Sequence, residues 1–218
     1  MSTFPRSPRV VKGGLVLLHP GTGEVLRVIT LQFNPDSLNR SLQPQGAGGG
    51  QDAGEALRLV GPPVETLSFE AELDATEQLE FPESNVSVAE VGLARQLAAL
   101  EVIAYPPSQR LIDNDELASA GSIEILPAGS PLLVLVWSSH RVVPVRITDF
   151  SIVEEAFDTA LQPIRAKVSL SVRVLSVNDL PFQSKGGSLY LVHQQQKETL
   201  ARGARYGVLR DLGIGEIG

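Results

Sequence analysis

The chain has 218 residues, 25 acidic against 18 basic, for a formal charge of −7, and no cysteine. Without thiols there are no disulfides, thiolate metal sites or cysteine nucleophiles, which suits a reducing compartment. An acidic balance with aromatics at only 5% excludes a phosphate-backbone binder, which needs clustered Lys and Arg.

The start, MSTFPRSPRVVKGG, has no continuous apolar run of the signal-peptide kind. The longest apolar run, Leu132 to Trp137, is far shorter than the about 18 residues a bilayer span requires. The expectation is a cytoplasmic protein with no export address and no membrane insertion. Leu15–Leu18 and Val25–Phe33 flank a Gly/Pro turn at 19–23 and read as a hairpin, stopped at Asn34-Pro35. Residues 41–63, with six glycines and little apolar content, read as a flexible loop. Next, Leu67, Phe69, Ala71 and Leu73 alternate with Thr66, Ser68, Glu70 and Glu72, the period of a half-buried strand.

Helical spacing predicts one helix over 88–104, with Ser87 and Glu90 as a capping box and Tyr105-Pro-Pro as its end. Three strands follow, at 122–126, 131–138 and 141–151. On the third, Val143, Val145 and Ile147 share one parity, whereas Phe150 and Ile152 take the other. That slip near Thr148-Asp149 predicts a β-bulge. The return strand, 164–176, alternates Arg165, Lys167, Ser169, Ser171 and Arg173 with Ala166, Val168, Leu170, Val172 and Val174. A last helix is expected over 189–202, with Ser188 as N-cap and Gly203 just past its end. The pattern predicts a mainly β chain: an antiparallel sandwich or barrel with two helices. An N-terminal arm (1–14) precedes the β domain (15–202), and a C-terminal tail (203–218) follows it.

Residues with catalytic potential are poorly arranged. Glu154 and Glu155 are strand neighbours and point to opposite faces, so they cannot address one bond together. His19, His140 and His193 have no metal-ligand spacing and read as exposed or capping residues. Ser138-Ser139-His140 lacks a nucleophile-elbow frame. Lys185-Gly-Gly-Ser188 lacks the first glycine of a phosphate loop and reads as a loop with a helix cap. The expectation is a non-enzyme with no cofactor and no metal. A β-barrel hydrolase or ligand binder using Glu154, Glu155 or Asp158 is the alternative of another class.

Several stretches carry a resemblance. They are LQFNPDSLNR (31–40), ETLSFEAELDATE (65–77), the block PLLVLVWSSHRVVPVRITDFSIVEEAFDTALQPIRAKVSLSVRVLSVNDLP (131–181) and LYLVHQQQKETLA (189–201). In this order they resemble the tube-type proteins of contractile injection systems, and most of all the baseplate protein that joins the spike to the inner tube. The resemblance implies a homohexameric ring that initiates the tube. Its partners would be the trimeric spike or hub, the inner-tube protein and other baseplate subunits, within a phage-tail-like particle. An ordinary inner-tube subunit or a tube terminator is the alternative inside the family. Relatives often continue into a LysM module; this sequence reaches Gly218 without one, so such clamping contacts are either lacking or supplied by another subunit. In such a ring, Phe150, Ile152, Glu154, Glu155, Phe157, Leu161 and Ile164 would form the subunit interface. Arg165, Lys167, Ser169, Ser171 and Arg173 would face the lumen or the next ring.

Overall fold

Alternation along three long strands decides the architecture. The structure, a computed structural model, describes residues 11–46, 58–119 and 130–217. Its strands are β1 (Gly14–Leu18), β2 (Val25–Thr30), β3 (Asn39–Gly46), β4 (Leu59–Asp74), β5 (Leu132–Ser138), β6 (Arg141–Phe157) and β7 (Pro163–Val174). Helices α1 (Thr76–Leu79), α2 (Val86–Val91), α3 (Ala94–Glu101) and α4 (Ser108–Ser119) lie between β4 and β5, and α5 (Lys185–Arg202) follows β7. The strands form one antiparallel sheet in the order β2-β1-β5-β6-β7-β4-β3. The fold is mainly β, as expected.

On β7, Ala166, Val168, Leu170, Val172 and Val174 are buried. In register beside them lie Leu67, Phe69, Ala71 and Leu73 of β4. Leu15, Leu133, Leu135, Val143 and Val145 complete this core from β1, β5 and β6. A flat sheet could not place both halves against one core, and this one curls. Gln32, just after β2, donates from Nε2 to the Asp74 carbonyl at 2.6 Å, and its Oε1 accepts from the Asp74 amide at 2.9 Å. Four strands separate β2 from β4 in the sheet, so this carboxamide bridges the two sides of an incomplete barrel. Across the same interior the Phe69 and Trp137 rings meet at 5.3 Å and 60°, a tilted geometry that aromatic quadrupoles favour.

Helices plug the two ends. Leu93, Leu97, Leu100 and Val88 enter the core from α2 and α3, and the Leu93 amide donates to the Pro163 carbonyl at 2.8 Å. The single helix expected over 88–104 is therefore two. Gly92 sits at φ 56, and a Cβ there would lie 2.3 Å from the Pro163 oxygen. Only glycine permits that approach. The capping box is likewise corrected: Asn85 is the N-cap of α2, without a side-chain capping bond, and the Ser87 hydroxyl accepts from Arg95 at 2.6 Å instead. At the other end α5 sends Tyr190 into the core, and Leu189 into a smaller apolar cluster with Leu18, Leu132 and Val134 on the sheet's reverse face.

Other expectations need correction. Five helices are present among the described residues, not two. Residues 41–46 and 59–63 are strand rather than loop, whereas 47–57 lie outside the described residues, as does the strand expected at 122–126. Every residue of β3 is exposed, so it is held by pairing to β4 and not by burial. Its Pro44 is skipped in the register, as proline on an edge strand must be. Helix α5 starts at Lys185, with the Ser184 hydroxyl accepting from the Gly187 amide at 3.1 Å. Ser188 is inside the helix.

Replacing Gln32→Leu leaves the Asp74 backbone groups unpaired, and should lower unfolding stability by about 1–3 kcal/mol. A urea titration should show this as a lower midpoint with the slope unchanged.

Candidate functional site at the hairpin tip

The β6–β7 hairpin is the longest feature of the chain, with strands of 17 and 12 residues. Its register slips between Ile147 and Asp149, so Thr148 is the bulged residue that the parity change predicts. The Thr148 hydroxyl donates to the Ser171 carbonyl at 3.0 Å and fills the gap in the ladder. After the bulge Phe150 and Ile152 keep pointing to the core.

Asp158 builds the tip. Its Oδ1 accepts from the amides of Ala160 and Gln162, both at 2.8 Å, while its own amide donates to the Gln162 carbonyl at 2.9 Å. Leu161 is left at φ 62, a left-handed conformation that costs a leucine about 1 kcal/mol or more. Of the residues read as interface, Phe150, Ile152 and Ile164 pack partly against this chain's own core. Phe157 and Leu161 do not, being 47% and 78% exposed, and Val153, which was not among those residues, is 54% exposed beside them. Glu155 pairs with Lys167 at 3.1 Å, and Glu154 is exposed.

The outer face of β7 is polar but not simply basic. Arg165 meets Asp74 at 3.0 Å and Arg173 meets Asp179 at 2.7 Å. Ser169 donates to Glu70 at 3.4 Å, and Ser171 stands opposite Ser68 and Asp149. The Asp74 carboxyl is held below its usual range, first by bonds from Thr76 and then by Arg165. Glu155 raises Lys167 above the usual ammonium range. Row by row, each charge is answered within the chain.

The acid/base candidates are not brought together. Glu155 is in an ion pair, Asp158 is occupied by backbone amides, and two cavities among the described residues are lined by other residues. One cavity, about 110 Å³, is lined by Gly13, Asn34, Pro35 and Trp137. The other, about 210 Å³, lies around Pro62, Pro63, Arg173 and Asn178. Among the described residues no group of three His, Cys, Asp or Glu could hold a metal ion, and no helix is long and apolar enough to cross a membrane. The glycines of Lys185-Gly-Gly-Ser188 serve packing: a Cβ on Gly186 would meet Leu180 at 2.4 Å, and one on Gly187 the Pro181 oxygen at 2.5 Å.

One polar cluster has no sequence signal. Glu65 is 5% exposed, with Lys197 of α5 at 2.8 Å and Arg40 of β3 at 4.0 Å. Beside it His193 is 4% exposed, which corrects the expectation of an exposed or capping residue. Burial, then Lys197, pushes the His193 imidazole below its ordinary range, against the opposing pull of Glu65 and a bond to the His140 backbone. Burial, then Glu65, pushes the Tyr190 phenol up. His19 is a turn organiser, its Nδ1 accepting from Gly21 and Thr22 at 3.3 and 3.1 Å. His140 is exposed on the β5–β6 turn.

No family model matches the chain, and no curated protein matches it. Among solved structures, one similar chain comes from the tail of an empty GTA particle, computed with helical refinement in C6 symmetry. The alignment covers 75% of this chain and 90% of that one, at 11% identity and a TM-score of 0.29, a likeness too slight to assign a role.

Two predictions follow from the tip and the cluster. Leu161→Gly removes the left-handed strain and should raise the unfolding free energy by about 1 kcal/mol, read from a urea midpoint. For His193 the folded pKa lies below the ordinary 6.5, so the unfolded chain takes up more protons as pH falls through that value. Stability is therefore full near neutrality and declines on acidification. Between about pH 7.5 and 5.5, wild type should lose more stability than His193→Phe.

Proposed function

We propose that this chain is a non-enzymatic structural subunit of a contractile injection system, one that forms a ring joining the trimeric spike to the inner tube. The tip of the β6–β7 hairpin carries the reading. Val153, Phe157 and Leu161 are exposed there, on a turn held rigid by Asp158. A soluble monomer gains nothing by presenting strained, apolar side chains on a fixed turn. A subunit completed by a neighbour gains a desolvated contact.

Two further features support the reading. The sheet ends in two edge strands, β2 and β3. On β2, Val25, Leu26 and Val28 are more than half exposed. Open edges with apolar side chains are templates for another chain. The resemblance of 131–181 to spike-adaptor proteins covers the same hairpin. In a ring the self-neutralised row from Arg165 to Arg173 would line the lumen or meet the next ring, offering passing cargo little net charge.

Native mass spectrometry tests this. The wild-type chain should form a closed oligomer, expected as a hexamer, and Phe157→Asp with Leu161→Asp should shift the population to monomer while the circular dichroism stays unchanged. A wild-type chain that remains monomeric with and without a spike protein, or a double variant that assembles as well as wild type, contradicts the proposal.

A further inference from the structure

We infer that His193 latches helix α5 to the end of the sheet, and that acid releases the helix while the barrel stays folded. The inference stands apart from the ring reading.

Helix α5 has 18 residues, yet little of it is anchored. Gly186 and Gly187 press its first turn against Leu180 and Pro181. Its other buried residues are Tyr190 and His193. Leu189 adds a partly buried contact to Leu18, Leu132 and Val134. From Gln194 onward no residue of the helix is buried, and the Lys197–Glu65 ion pair ties that half to β4.

An apolar side chain at position 193 would be a permanent anchor, whereas an imidazole anchors according to its proton. Nδ1 of His193 is buried without a hydrogen-bond partner among the described residues. A neutral ring carries one N–H, but imidazolium carries an N–H on both nitrogens. Protonation would therefore put a positive charge and an unpaired donor into a closed site.

The surrounding charges do not offset this. Burial opposes protonation first, then Lys197, one turn further along α5, and Arg141, at the start of β6. Glu65 of β4 and the His140 backbone favour it. Glu65 is itself engaged, by Lys197 at 2.8 Å and by Arg40 of β3 at 4.0 Å. Tyr190 also lies close to Glu65 and brings no charge near neutral pH.

Once α5 lifts away, the ring meets water and regains its ordinary affinity for a proton. The docked ring holds protons less well than the released one, so docking is complete near neutrality and weakens as pH falls through and below 6.5. One proton shifts the balance at most about tenfold per pH unit. Release uncovers Tyr190 and the cluster of Leu18, Leu132 and Val134. The barrel keeps its closure, because the Gln32–Asp74 bridge and the β4–β7 ladder use no residue of α5.

Hydrogen exchange at about pH 7.5 and 5.5, corrected for intrinsic exchange rates, tests this. Amides of residues 190–199 should open at least about tenfold more often than those of β7 at both pH values, so that the helix leaves a folded barrel. Their opening should rise about tenfold on acidification. His193→Gln keeps a donor but takes up no proton, and should abolish that rise. Lys197→Gln removes a cation and frees Glu65 for the imidazolium, and should cut the rise below about threefold. Helix openings no more frequent than those of β7, wild-type openings indifferent to pH, or either variant responding like wild type would each overturn the inference.

Discussion

Two hydrogen bonds from one carboxamide hold this fold in its curl. Gln32 takes the place of a missing strand rung, pairing with both backbone groups of Asp74 across the gap between β2 and β4. With that gap closed, the inner faces of β1, β5, β6, β7 and β4 share one core, and Phe69 reaches Trp137. Helices α2 and α3 can then seat on Pro163 at one end and α5 on Glu65 at the other. Asn34, two residues on, acts similarly, bonding the Val11 carbonyl and the Gly13 amide at 2.8 and 3.0 Å. Two side-chain amides of the stretch 31–40 therefore do backbone work.

The same closure decides what is left outside. A rolled sheet turns its second face outward, and the Arg165-to-Arg173 row shows how that face is made tolerable: the row is salted with acids from β4, β6 and the loop after β7. Such exposed pairs add little stability; their effect is to cancel charge. The hairpin outruns the core it helps to build, so its tip has neither core nor acid-base partners to absorb Phe157 and Leu161. Rigidity from Asp158 makes that tip a preformed surface, for which association costs little ordering entropy.

Features legible in the sequence were those that depend on near neighbours. Alternation on β4 and β7 is a local pattern, and the parity slip at Thr148 is visible because phenylalanine and isoleucine must both find the core. The misreadings share a different cause. Gly92 breaks a helix because Pro163, far along the chain, comes within 2.3 Å of where its Cβ would be. Lys185-Gly-Gly-Ser188 reads as a loop with a cap, yet it is the first turn of α5, where Gly186 and Gly187 lie close against Leu180 and Pro181. His193 is buried, with the His140 backbone and Glu65 near it, neither adjacent in sequence. Strand β3 buries nothing, so no apolar period could announce it, and α4 likewise has no buried residue. At the candidate site the apolar character of the tip was readable. The division between Ile164, turned inward, and Leu161, turned out, was not, because it depends on a single left-handed residue.

Completion of the hairpin by a second copy is the central claim, and hydrogen exchange at the tip tests it most directly. Backbone amides of residues 153–162 should exchange fast in dilute wild-type protein and become protected as concentration drives assembly, with β7 core amides protected throughout. Tip amides that exchange equally fast in monomer and assembly would contradict the account.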